Sequence, residues 1–390
     1  MSRPDASQSP AAKTVMPHRA VDPVMLFFDL VYVFLITELN DVLRAETGWR
    51  GIFHCTVLLA LIYWQWVLVT VQSSIRDAST SRHRFVIMLL MLIAMVSAVA
   101  LPQAFGDRAL LFAVTCWTSR LVITFLLARS ENSKAFRMDL TSSLIQGPLL
   151  LGGAALGGAG QLALWSLAAL SEITAPFLHS RTMRAQRYDV GNVVERFSLL
   201  IIVALGETIV SIVTPQAELE HLSWSGLGGL VAAFILVGGL WWAYFHHSLS
   251  LMEHYIGRAR ITFFAVRSLL AYGHLALAAG LIALAAGLHH VMEEPNHRVP
   301  AESTALLCGG VVFLAMFAVV RLRNARRIYR SRVVACLLCL ALIPAGTRMS
   351  GLLLVALLAA VAVAECAWET LSPRSAGVPE HEELAHLAAT

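Results

Sequence analysis

The chain has 390 residues, 57% of them hydrophobic and 14% charged, with a mean hydropathy of +0.69 and a formal net charge of +4. Soluble domains run to about 45–50% apolar and about 25% charged, so a bilayer rather than water is the expected solvent and helices, not globular domains, are the units to count. The basic excess lies in connections between apolar runs, with no basic face carrying interleaved aromatics, which sets nucleic acid aside.

Residues 1–23 are polar, carry Pro4, Pro10 and Pro17, and hold no apolar core of the signal-peptide kind. They read as a disordered cytoplasmic tail. A spanning helix needs roughly 20 apolar residues. Twelve segments reach or approach that length: 24–43, 51–71, 85–105, 109–128, 140–156, 161–178, 197–213, 224–245, 261–288, 303–320, 333–343 and 351–368. Their apolar runs are continuous and do not alternate, which speaks against a β-barrel. The eleventh is short, stops at Pro344, and extends only if Arg330 and Arg332 snorkel to the interface. Gly152, Gly153, Gly157 and Gly158 predict a tight hairpin between the fifth and sixth. Residues 370–390 read as a second polar tail.

Basic residues gather in alternate connections, around Arg76–Arg84, Arg129–Arg137, Arg181–Arg187, Arg258–Arg260 and Arg321–Arg332. Glu218, Glu220, Glu293, Glu294 and Glu302 fall in the others. The positive-inside rule then puts both termini in the cytoplasm, which requires an even number of spans.

The first span contains LFFDLVYVFLITEL, residues 26–39, with Asp29 near its start and Glu38 near its end. The pattern returns as RFSLLIIVALGET, residues 196–208. Laid over one another, the two place Phe28 over Phe197 and Glu38 over Glu207, with Ser198 opposite Asp29. Tyr63-Trp64-Gln65-Trp66 likewise aligns with Trp241-Trp242-Ala243-Tyr244, and Glu172 with Glu365. The fold class that follows is an all-α integral membrane protein of about twelve transmembrane helices in two parallel six-helix repeats. Residues 24–180 form the first repeat, 181–194 a cytoplasmic linker and 195–369 the second.

Acids inside apolar helices are costly without a partner, water or a proton, so Glu38 and Glu207 lead the candidates for binding an ion or small solute. Thr37 and Thr208 adjoin them, and Gly206 is expected to permit close helix approach. Helix packing satisfied by a neighbouring cation or hydroxyl is the alternative reading. Asp29 lies nine residues from Glu38, on the opposite face of a straight helix, and pairing with Arg196, Arg120 or a loop cation competes with a functional role. Arg120, Arg267 and His274 are intraspan cations that need buried acids. Arg267 and His274, seven apart, share a helix face and so could share a cavity. Glu195-Arg196 reads as helix capping.

Trp64, Trp66, Trp241 and Trp242 fit an interfacial aromatic belt first and a cation-π gate second. Glu172 and Glu365 are secondary candidates. His246-His247, His289-His290 and the Cys336/Cys339 pair lack the setting of a metal or redox centre, and no cofactor is expected.

At Pro23–Leu39 and Val193–Val210 the sequence resembles the two signature motifs of the bacterial low temperature requirement protein A (LtrA) family, departing from them at Met25 and Asn192. The resemblance implies a multi-pass protein of the bacterial cytoplasmic (inner) membrane and carries no reaction with it. Phe27-Phe28-Asp29 is also loosely similar to the motif that opens each half of certain twelve-span, two-repeat potassium channels. An acid-dependent carrier is the leading expectation, with a channel between helices one and seven next. A membrane enzyme or a structural, cold-adaptation protein without transport activity remains the third class. No P-loop, dinucleotide glycine pattern or GxSxG motif is present, so an enzyme is not the first expectation. The bilayer and an ion or small solute are the expected partners, and self-association into a homo-oligomer stays open.

Overall fold

The computed structural model describes residues 22–46, 48–75, 80–127, 133–178, 189–246, 248–249, 252, 256, 266–316 and 330–371. The basic connections holding Arg76, Arg129, Arg181 to Arg187, Arg258, Arg260 and Arg321 to Arg327 lie outside the described residues, as do both tails and most of the linker.

The described chain is helical, apart from turns and one antiparallel bridge between Arg298 and Ser350. The helices are α1 (Pro23–Ala45), α2 (Trp49–Ile75), α3 (Ser81–Ala100, then a 3-10 turn at Leu101–Gln103), α4 (Ala109–Leu127), α5 (Ser133–Leu156) and α6 (Gly158–Leu178). They continue with α7 (Val190–Ala217), α8 (Trp224–Phe245) and α9 (Gly273–Glu293), which a π-helical segment, Val266–Tyr272, leads into. Last come α10 (Ala301–Leu307, resuming to Met316), α11 (Arg330–Gly346) and α12 (Gly351–Leu371). Every predicted apolar segment is therefore helical over its described part. Seven of these helices are long and apolar enough to cross a membrane: α1, α2, α3, α7, α8, the π segment with α9, and α12.

Local chemistry sets the helix ends. Asp22 caps α1, its carboxylate accepting from the Val24 N–H at 3.0 Å, and Pro23 follows where a missing N–H costs nothing. Thr80, Asp189 and Ser223 do the same for α3, α7 and α8. Asp189 thus replaces the expected Glu195-Arg196 cap: α7 begins earlier than its apolar run, and Arg196 lies six residues inside, fully buried. The α5–α6 hairpin turns on Gly157 and Gly158, both at positive φ (66° and 53°), where a side chain would be strained. α11 carries Pro344 within it and runs on to Gly346.

In the first half α1 packs on α2 and α3, α3 on α4, α4 on α5, α5 on α6, and α6 on α2. In the second, α7 packs on α8 and α9, α9 on α10, α10 on α11, α11 on α12, and α12 on α8. The halves meet where α1 and α2 touch α7 and α9. α9 and α10 cross closely, and a Cβ on Gly280 would stand 2.6 Å from the Gly309 carbonyl oxygen. Gly206, by contrast, is exposed with open space around it, so it does not serve close helix approach.

Outward faces stay apolar. Along α3, Phe85, Met88, Leu92, Met95 and Val99 are all exposed. Such a row is costly in water and suited to acyl chains.

Candidate functional site

The centre of the molecule is a buried polar layer built by both halves. Asp29 on α1 accepts from Arg196 on α7 through both oxygens, at 3.0 Å from Nε and 2.5 Å from Nη2. Trp66 on α2 adds a third donor, its indole N–H 2.7 Å from Asp29 Oδ1. The guanidinium also lies 5.8 Å from the Phe28 ring centroid and 5.9 Å from that of Trp66. A fork donor meeting a carboxylate side-on, with aromatic faces closing the rest, is the arrangement in which a buried charge pair is tolerated. Burial is complete at Arg196 and nearly so at Asp29 and Trp66.

One residue along α7, Phe197 packs edge-on against Trp66 and against His274 on α9. His274 Nδ1 faces the Leu269 and Leu270 carbonyls at 3.2 and 3.1 Å, so that nitrogen carries the hydrogen. In the neutral ring Nε2 then accepts from the Tyr244 hydroxyl at 2.7 Å, and Ser198 is within hydrogen-bonding reach of the same hydroxyl. Tyr63 on α2 donates to the Ala271 carbonyl at 2.7 Å. All these carbonyls belong to the π segment, whose wider turn takes backbone groups out of the α-helical ladder and offers them to side chains from α2 and α9.

Glu38 and Glu207 lie beyond this layer toward the C-terminal ends of α1 and α7. Both are half-buried, and the charge of Glu207 reaches Glu38, as does that of Asp41 one turn further on. Thr208, fully buried, spends its hydroxyl on the Ala204 carbonyl. Thr37 lies on the same stretch of α1, with its side chain outside the described residues. Above the acids Arg44 bridges Asp41 and the His289 ring on α9, and His289 Nδ1 stands 3.2 Å from the Ser211 carbonyl on α7. At the foot of α1, outside the apolar run, the Val24 N–H and then the Arg84 guanidinium hold the Asp22 carboxyl below the usual carboxylate range.

Two further ion clusters lie off the centre. Arg120 on α4 meets Asp139 on α5 at 2.6 Å and Glu172 on α6 at 2.9 Å. Arg332 on α11 meets Glu369 at 2.7 Å and Glu365 at 3.3 Å on α12, with Ser248 at 3.2 Å.

The sequence candidates therefore divide. Glu38 and Glu207 lie on adjoining helices, the field of Glu207 reaching Glu38, and Asp29 pairs with Arg196. Arg120 pairs with Glu172, and Glu365 joins Arg332, both away from the centre. Arg267 and His274 do not share a face. Arg267 donates to the Pro176 carbonyl and stacks 4.1 Å from the Phe177 ring, because the π segment between it and His274 turns less per residue than an α-helix. The aromatic pairs differ from each other. Trp64 and Trp66 are buried in the core rather than forming a belt, whereas Trp241 and Trp242 are about 40% exposed on the outer face. Asp139 and Glu369 were not singled out in sequence, Arg332 was expected to snorkel to the interface but is buried, and His289 was weighed only as a metal ligand. Arg332 and Glu369 had the clearest signal, one set at the head of a short span and the other one turn after Glu365.

Residues 20–367 match the family described as bacterial low temperature requirement A protein (LtrA), and the chain belongs to that family. It is also 27% identical over 237 residues to an uncharacterized protein, RA0937, of Rhizobium meliloti (strain 1021), an alignment that covers 57% of this chain and 57% of that relative's length. No solved structure matches.

Proposed function

We propose that this LtrA family member moves an ion or small solute across the bacterial inner membrane, binding it between Glu38 and Glu207 on a pathway between α1 and α7. What supports the reading is that two half-buried carboxylates stand on adjoining helices at positions the sequence repeat aligns, the field of Glu207 reaching Glu38. Two carboxylates so placed repel when both are ionised, and a bound cation or a shared proton relieves the repulsion. The Asp29–Arg196–Trp66 layer seals the same two helices nine residues along α1, about 13 Å away at 1.5 Å per residue. A half-buried acid site lying beside a buried seal is what one state of an alternating-access carrier would need.

The same reading has all twelve helices crossing the bilayer as two parallel six-helix repeats with both termini in the cytoplasm. What supports it is that most neighbour relations of α1 to α6 recur among α7 to α12, α2 against α4 being the exception among the described residues. The aligned polar positions also neighbour one another in each half: Trp66 donates to Asp29 in the first, and Tyr244 lies near Ser198 in the second with its hydroxyl bonded to His274. At 17 residues, α11 is at the lower limit of spanning length.

The test is flux in proteoliposomes holding the full chain, with proton and monovalent-cation gradients imposed in turn. Glu38→Gln and Glu207→Gln should each cut the coupled flux at least tenfold while the protein stays folded. Undiminished flux in both variants sinks the proposal, as does the absence of any flux in wild-type vesicles across proton, sodium and potassium gradients.

A further inference from the structure

The cluster formed by Arg120, Asp139 and Glu172 plays no part in the pathway between α1 and α7, and its charges do not balance. It contains one guanidinium and two carboxylates, and the three residues are 2%, 8% and 2% exposed. Arg120 Nη1 stands 2.6 Å from Asp139 Oδ1 as an ion pair, and its Nε donates to Glu172 Oε1 at 2.9 Å. Asp139 is further satisfied by the Thr124 hydroxyl, 2.5 Å from Oδ2, and Thr124 is linked at 2.7 Å to Ser143. Glu172 has no such second donor. Its Oε2 is buried with no hydrogen-bond partner among the described residues.

No other described charge makes up the difference. The charges that act on Glu172 are those of Arg120 from α4 and Asp139 from α5. On α2, which packs against α6, His54 is engaged by Glu46 and Tyr63 by the Ala271 carbonyl. From the π segment, Tyr272 gives its hydroxyl to the Ile173 carbonyl and Arg267 reaches the Pro176 carbonyl one turn beyond. A lone uncompensated negative charge in an apolar interior is far more costly than a neutral acid with one idle hydroxyl.

We propose that this cluster is a proton-binding site, with one proton held on Glu172 Oε2 while Asp139 stays ionised against Arg120. The proton sits on the one carboxylate oxygen that nothing else satisfies, and the Glu172 carbonyl oxygen continues to accept from Arg120 Nε. The cluster is then neutral. A metal cation is the poorer occupant, because Arg120 stands between the two acids and repels it. The site is independent of the Glu38–Glu207 reading and survives its failure.

The test is infrared spectroscopy of the purified full chain at neutral pH, in ordinary and in heavy water. Wild-type protein should show the carbonyl band of a protonated carboxylic acid, and Glu172→Gln should lose it. Asp139→Asn should lose it as well, because with one acid removed Glu172 ionises to balance Arg120. Both variants reproduce the neutral charge of the proton-loaded cluster, so both should melt at or near the wild-type temperature, while the double variant, which strands Arg120, should melt lower. If Glu172→Gln does not fold, Asp139→Asn supplies the same reading with Glu172 intact. The reading is the difference spectrum, since Glu365 beside Arg332 and Glu369 can contribute a band of its own; a wild-type-minus-Glu172→Gln or wild-type-minus-Asp139→Asn difference that lacks such a band overturns the proposal.

Discussion

Asp29 is the residue whose loss reaches furthest. It is the shared acceptor for Arg196 and Trp66, and removing one partner of a buried ion pair leaves the other stranded, at a cost of about 3–5 kcal/mol. Asp29→Asn should therefore lower the melting temperature sharply in detergent. Arg196→Lys should rescue little, since an ammonium cannot donate side-on through two nitrogens. Asp22 acts on a smaller scale and with a pH signature. Its carboxyl is held down in the folded state, so the charged form is the stabilising one. That contribution is full above the unfolded-state value of about 4 and fades as pH falls through the folded value. The gap in melting temperature between wild type and Asp22→Ala, worth about 1 kcal/mol for a helix cap, should be open at pH 7 and closed in strong acid. The acids were legible in sequence because an apolar run advertises any carboxylate inside it. Their partners were less so. Arg196 looked like a helix-end residue because the apolar run begins after it, whereas the helix begins at Val190, where Asp189 caps it.

At the scale of the element, the π segment Val266–Tyr272 is where the sequence is silent and the structure is not. Nothing in the row VRSLLAY distinguishes a π turn from an α turn, and the expectation that Arg267 and His274 share a face assumed the latter. The segment persists because the Leu269, Leu270 and Ala271 carbonyls are accepted into bonds with His274 and Tyr63, two of them contributed within the helix and one from the opposite half. Tyr63→Phe removes the donor from the opposite half and leaves a buried carbonyl unmet, a loss of about 1–3 kcal/mol. Hydrogen exchange of the amides from 266 to 274 should quicken in that variant, while exchange across α12 stays as in wild type. Unchanged exchange in both regions would show that the π turn does not need Tyr63. The aromatic pairs teach the same lesson. Trp66 and its counterpart Tyr244 are both buried, whereas Trp64 packs on Tyr272 in the core and its counterpart Trp242 ends on the outer face, because only the first-half cluster meets the π segment of the opposite half.

The helices of the whole molecule were legible because each apolar run is long and bounded by polar or glycine-containing connections. The contacts between halves were not, since no periodicity within one helix says which distant helix it will meet. Reporter fusions check the arrangement proposed for the bilayer. A periplasm-active reporter inserted beside Gly48 should be active, and the same reporter after residue 371 should be silent. Activity at the second site would remove the even number of crossings and with it the parallel repeat. A last consequence comes from Gly280 and Gly309, whose backbones touch with no room for even a methyl group between them. A joint that tight has no slack for sliding or prising apart, so α9 and α10 are obliged to travel as a single rigid bar. In the carrier proposed above, any rocking that exposes the acids would pivot elsewhere, where α1 and α2 lean against α9.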